Sequence, residues 1–216
     1  MSSEEDNKPH KQAFPEEEIY RFWFGECVDK PDSLQPQGRV WFSQNEAQDL
    51  YLKKQFGYLF PLLAQHRASA FPSARAALSA ILVLDQFSRQ IFRSTPRAYA
   101  YDSYALAIMD AAMEKDWATH LTPIERAFLY MPLMNAEGLS LQKQSTRLFK
   151  ELVMEAQEPY RSFIQGLETM AIRNRMLIER FGRFPQRNRI LGRRSQDDEA
   201  SWLLQANKRS VSVSRS

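Results

Sequence analysis

Arginine is concentrated where the chain could hold a negative charge. Between positions 173 and 194 stand Arg173, Arg175, Arg180, Arg183, Arg187, Arg189, Arg193 and Arg194 against a single acid, Glu179, although the 216-residue chain has a net charge of only +3. A guanidinium fork matches the two oxygens of a carboxylate or phosphate. A second set lies earlier. Asp85 and Arg89 are four residues apart and can pair on one helix face, with Gln86 and Gln90 or Arg93 on an adjoining strip. Four uses of these residues are open. In a binding module, Arg89, Arg93, Arg183, Arg187 and Arg193 would hold an anionic small molecule or an acidic peptide. In an enzyme, Asp85 or Glu137 would serve as general base while the arginines stabilise developing negative charge. In an RNA-binding protein, arginines near Phe181 and Phe184 would neutralise phosphates and stack on bases. In a purely structural network, the arginines would only fix the C-terminal helices to Asp85 and Asp102.

Known catalytic signatures do not choose among these. HExxH, CxxC, GxGxxG, the P-loop and GxSxG are all absent, so neither a metal site nor a cofactor is expected. The one cysteine, Cys27, cannot form an intramolecular disulfide, which suits a reducing compartment. No histidine is near it in sequence, so a packed thiol is the simpler reading. The polar start MSSEEDNKPHKQ lacks the apolar run of a signal peptide, and no window is apolar enough to span a bilayer; a cytoplasmic protein is expected.

The elements that must position these residues read as helices throughout. Residues 1–13 and 208–216 are polar and aperiodic, which predicts disorder around one all-helical domain at 14–207. Pro15 followed by three glutamates opens a first helix that closes at Gly25 and carries the aromatic core anchor RFWFG. Residues 26–38 read as a loop. Ser43 and Glu46 fit a capping box for a helix to about Leu63, with Pro61 as a kink and His66 at its exposed end. The segment 73–92 is apolar on nearly every face and predicts a central, surrounded helix. Thr95–Pro96 and Thr122–Pro123–Glu125 open two more. Leu133 to about Glu155 and Pro159 to Arg180 follow as long helices, and Ser195 with its trailing acids caps a last short one. This is an all-α pattern of antiparallel helical hairpins, as a compact bundle or a repeat-like array.

Three motifs in order, LDQFSRQIFRSTPRAYAYD (84–102), YMPLMNAEG (130–138) and ERFGRFPQRNRILGR (179–193), with RFWFG and the pair Trp41–Phe42, resemble the bacterial domain-of-unknown-function family 924 over roughly residues 16–205. The resemblance implies a tetratricopeptide-like all-helical fold and brings no activity with it. It also implies histidines where this chain has Asn135, Asn174 and Gln186, asparagine at Gln90 and proline at Ser88. An amide keeps a neutral hydrogen bond but cannot take a proton near neutral pH or ligate a metal well. Any acid–base or metal chemistry at those positions in relatives is expected to be lost here. The positions shared with the family pattern, Asp85, Gln86, Arg89, Arg93, Asp102, Glu125, Arg126, Glu137, Arg180, Arg183, Arg187, Asn188 and Arg193, would still form a charged hydrogen-bonded groove.

Overall fold

The computed structural model describes the backbone of residues 14–213 and the side chains of residues 14–206. The segment expected to be disordered at 1–13 lies outside these residues, as do positions 214–216 of the expected tail. Every regular element among the described residues is helical. The chain is therefore all-α, and among the described residues no helix is long and apolar enough to cross a membrane.

The first helix, α1 (Glu16–Phe24), begins behind Pro15 and carries three glutamates in its first turn, where the helix dipole favours them. It ends at Gly25, whose φ of 53° is a left-handed conformation open to glycine. Trp23 and Phe24 are fully buried, so RFWFG is the core anchor expected of it. Trp23, Trp41 and Phe128 meet edge to face or tilted, with ring centroids 4.7–6.2 Å apart.

The expected loop at 26–38 is instead a 3-10 turn, Pro31–Ser33, running into α2 (Leu34–Phe42). Pro36 sits in the first turn of α2, where its missing N–H costs no intrahelical bond. Ser43 closes α2, and Asn45 opens α3 (Glu46–Phe56) by accepting from the Gln48 amide at 3.2 Å. The expected Ser43 capping box is thus displaced by two residues. The break before α4 (Leu59–Gln65) falls at Gly57, and Pro61 belongs to the first turn of α4 rather than kinking a longer helix.

The surrounded central helix is present in three joined pieces. Ser73 Oγ accepts from the Ala76 amide at 3.0 Å to start α5 (Ala74–Ile81), a π-helical turn spans Leu82–Phe87, and α6 (Ser88–Ile91) completes the run. A widened π turn frees carbonyls from the usual ladder. The Asp85 carbonyl takes side-chain donors, Arg89 Nη1 at 2.6 Å and Ser88 Oγ at 3.2 Å. Pro96–Tyr99 forms a 3-10 turn, not the start of an α-helix, and α7 (Asp102–Glu114) begins after it.

Thr122 and Glu125 make the expected capping box at the head of α8 (Pro123–Leu129). A short α9 (Met131–Asn135) follows, and the helix expected from Leu133 onward is interrupted at residues 136–138 before α10 (Leu139–Glu155). Helices α10 and α11 (Tyr160–Phe181) form a long hairpin joined by four residues. Gly182, at φ 69°, ends α11, and an irregular segment with a 3-10 turn at Pro185–Arg187 leads to α12 (Asp197–Val213), which is longer than the short helix expected.

Candidate functional site

Four stretches converge on one place: the π turn with α6, the 3-10 turn at 96–99 with the head of α7, the end of α9, and the segment after Gly182. Asp85 is fully buried at the base. Its carboxylate accepts from Gln86 Nε2 at 2.6 Å and from Asn135 Nδ2 at 3.0 and 3.1 Å, and pairs with Arg89 Nη1 at 3.1 Å. Arg89 Nη2 also donates to Asp102 Oδ2 at 2.9 Å. Burial works against the Arg89 charge, but Asp85 and Asp102 outweigh it and hold the guanidinium above its ordinary value.

Arg187 comes from the other side. Its guanidinium lies 4.6 Å from the Tyr99 ring centroid and 4.5 Å from that of Phe184, and its Nη2 donates to the Asn135 carbonyl at 3.0 Å. Two rings thus clamp the cation. The residue is nine-tenths buried, and its ion-pair contact, Nη1 to Asp102 Oδ2, is long at 3.6 Å. Burial and the neighbouring Arg89 charge push its pKa down, while Asp102 and Glu137 oppose them.

A cavity of about 450 Å³ opens above this cluster. Arg89, Arg93 and Arg187 line it, together with Gln44, Asn135, Asn174, Gln186, Ser94 and Tyr99, and among the described residues no carboxylate does. The three amides singled out by sequence therefore share one cavity. The acids stand behind the arginines: Asp85 and Asp102 behind Arg89, and Asp49 clasped by Arg93 at 2.5 and 2.9 Å. Asn174 is fixed by donating to the Met134 carbonyl at 3.0 Å.

The two acids suggested as general bases are both held by several donors. Asp85 has both oxygens filled and no contact with solvent. Glu137 accepts from Arg193 at 2.6 and 2.9 Å and from the Phe184 amide at 2.8 Å. Burial alone would raise its pKa, but the Arg193 bonds, the Phe184 N–H and the charges of Arg193 and Arg187 together lower it. Glu137 is a clamp that ties residues 136–138 to the segment after α11.

The remaining residues divide. Arg183 grips the carboxylate of Glu199 at 2.7 and 2.8 Å, and Asn188 bonds Glu199 and accepts from Arg193 Nε. Arg183 and Asn188 brace the segment against α12, Arg193 ties it to Glu137, and none of the three lines the cavity with Arg187. Arg180 is exposed over Phe181, and Arg126 pairs with Glu155 at a different cavity beside Tyr130 and Arg147. Neither joins the groove. Phe184 is buried, and the half-buried Phe181 packs edge-on against Trp202. Cys27 is buried, and burial pushes its thiol up to about 12, the value of an unreactive packed cysteine.

Sequence reading missed Tyr99 and Glu199. Tyr99 lies in the stretch behind Thr95–Pro96 that reads as a helix, and only the tertiary fold sets Arg187 against its ring. Glu199 looked like an exposed first-turn acid.

Asp102 is the acid with chemistry left over. Its Oδ1 is buried with no hydrogen-bond partner, while Oδ2 faces both arginines. Burial, aided by the Asp85 charge and opposed by Arg89 and Arg187, pushes its pKa up to about 6. The folded value exceeds the unfolded one, so this group's contribution to stability is full below its ordinary value of 3.8 and is lost as pH rises through about 6. In urea denaturation, the stability of the wild type relative to Asp102→Asn should rise as pH falls from 7.5 to 4.5. Parallel pH profiles would contradict this assignment.

The comparisons with known proteins agree with this architecture. A solved structure of a protein of unknown function from Agrobacterium tumefaciens is similar, with a TM-score of 0.69 and 28% identity over 87% of this chain and 96% of that one. Among curated proteins none matches. The pattern of a bacterial family of proteins of unknown function, DUF924, matches residues 19–207, nearly the whole described length, and the chain belongs to that family.

Proposed function

We propose that the cavity over Arg89, Arg93 and Arg187 binds an anionic small molecule. The observation that carries this reading is the state of Arg187: a nine-tenths buried cation between two rings, 3.6 Å from its ion-pair partner, facing a cavity lined by arginines and amides with no carboxylate among the described residues. A buried guanidinium without a close anion is costly, and a ligand carboxylate or phosphate would relieve that cost with charge-assisted bonds. The volume of about 450 Å³ suits a small molecule better than a peptide chain. Helical hairpins stacked in tetratricopeptide fashion would supply such a concave surface. The amides at 135, 174 and 186 would supply neutral hydrogen bonds to the rest of the ligand.

Thermal denaturation in rising acetate and, separately, inorganic phosphate tests this. Saturable stabilisation that follows the mass-action form, with matched chloride showing none, is the expected result. An identical response to all three salts would sink the reading.

A further inference from the structure

A second cavity of about 400 Å³ shares Tyr99, Asn135 and Arg187 with the first, so the two abut across these three residues. Its chemistry differs. Pro96, Ala100, Leu106, Pro132, Ala136 and Leu191 make most of its lining apolar. Its two acids are already engaged, Glu137 by Arg193 and Asp102 Oδ2 by Arg89, and Asp102 Oδ1 is out of solvent. Arg187 is the one cation at the junction.

Resting on the anion reading above, we infer that the ligand is an amphipathic carboxylate, with its head in the arginine-lined cavity and a short apolar tail in the second. Charge selects a carboxylate over a phosphate dianion. Arg89 and Arg93 are already balanced by Asp85 and Asp49, and only Arg187 of the three lacks a close anion, so one added negative charge is compensated there and a second is not. A planar carboxylate also suits a guanidinium that rests against the Tyr99 and Phe184 rings, with its Nη1 contact to Asp102 long at 3.6 Å. The amine of the same chain length would meet Arg187 as a like charge and is rejected.

Calorimetric titration with acetate, butyrate and hexanoate, and with hexylamine as the cationic control, tests the inference. Each methylene drawn from water into an apolar cavity strengthens binding about fourfold. Hexanoate should therefore bind at least about tenfold more tightly than acetate, and hexylamine should not bind. In Ala136→Leu, which fills the second cavity, and in Ser103→Trp, which overhangs it from an exposed position on its lining, the hexanoate-to-acetate ratio should fall toward one. Circular dichroism confirms that each variant is folded. If acetate binds and hexanoate binds no better, or if the ratio survives both substitutions, the tail site is wrong while the anion site stands. If neither carboxylate nor phosphate binds, the anion reading itself fails and this inference with it.

Discussion

Arg187→Met is expected to weaken acetate binding by at least about a hundredfold while leaving a folded protein. Charge-assisted hydrogen bonds to a buried anion are worth about 1.5–3 kcal/mol each, and a fork can make two. Methionine is long and unbranched enough to occupy the space between Tyr99 and Phe184, so the rings need not collapse together. Arg187→Lys separates charge from shape. Lysine keeps the cation but has no planar edge and no flat face for two rings, and should recover only part of the affinity. Unaltered binding in Arg187→Met would remove Arg187 from the site.

Asp85→Leu is expected to destabilise the fold by about 3–5 kcal/mol, the loss typical of breaking a buried ion pair from one side. Asp85 is without solvent contact and satisfies Gln86, Asn135 and one arm of Arg89 together. Leucine leaves those donors facing an apolar side chain. Asp85→Asn retains one acceptor and should cost less. Urea midpoints at pH 7 measure both, and a change under about 1 kcal/mol for Asp85→Leu would show that the network rearranges freely.

Two helix beginnings were legible because their signals are local, while the starts expected at Ser43 and Thr95 were not where the α-helices begin. Thr122, Pro123 and Glu125 cap α8 with chemistry contained in four residues, and Ser73 starts α5 in the same way. The interruption at 136–138 was not legible, since its cause lies in the next helix. Gln142 is fully buried and its Nε2 donates to the carbonyls of Leu133, Met134 and Ala136 at 2.7–3.1 Å, ending α9 from outside it. A glutamine on a predicted helix reads as surface. Prolines 31 and 36 similarly hid α2, because both fall in first turns that tolerate them.

The site divided along the same line. Types and spacing pointed to Asp85 with Arg89, and the family resemblance picked out Asn135, Asn174 and Gln186, all of which meet at the cavity or its base. Charge density could not say which arginines of the last third face inward. Only Arg187 does so at this cavity, while Arg183 and Arg193 are taken by Glu199 and Glu137. The difference is made by acids on α12 and at the 136–138 interruption. It is invisible without the tertiary fold.

The central claim is that a ligand anion docks on Arg187. Nitrogen-15 spectra of the arginine Nε–H groups, assigned by single Arg→Lys variants and followed through an acetate titration at pH 7, test it most directly. The account predicts that the Arg187 resonance, with Arg89 or Arg93, moves to a plateau while exposed arginines such as Arg180 and Arg194 stay put. If the exposed arginines shift in proportion to salt and Arg187 does not move, the buried cluster is a structural brace and the cavity holds no anion.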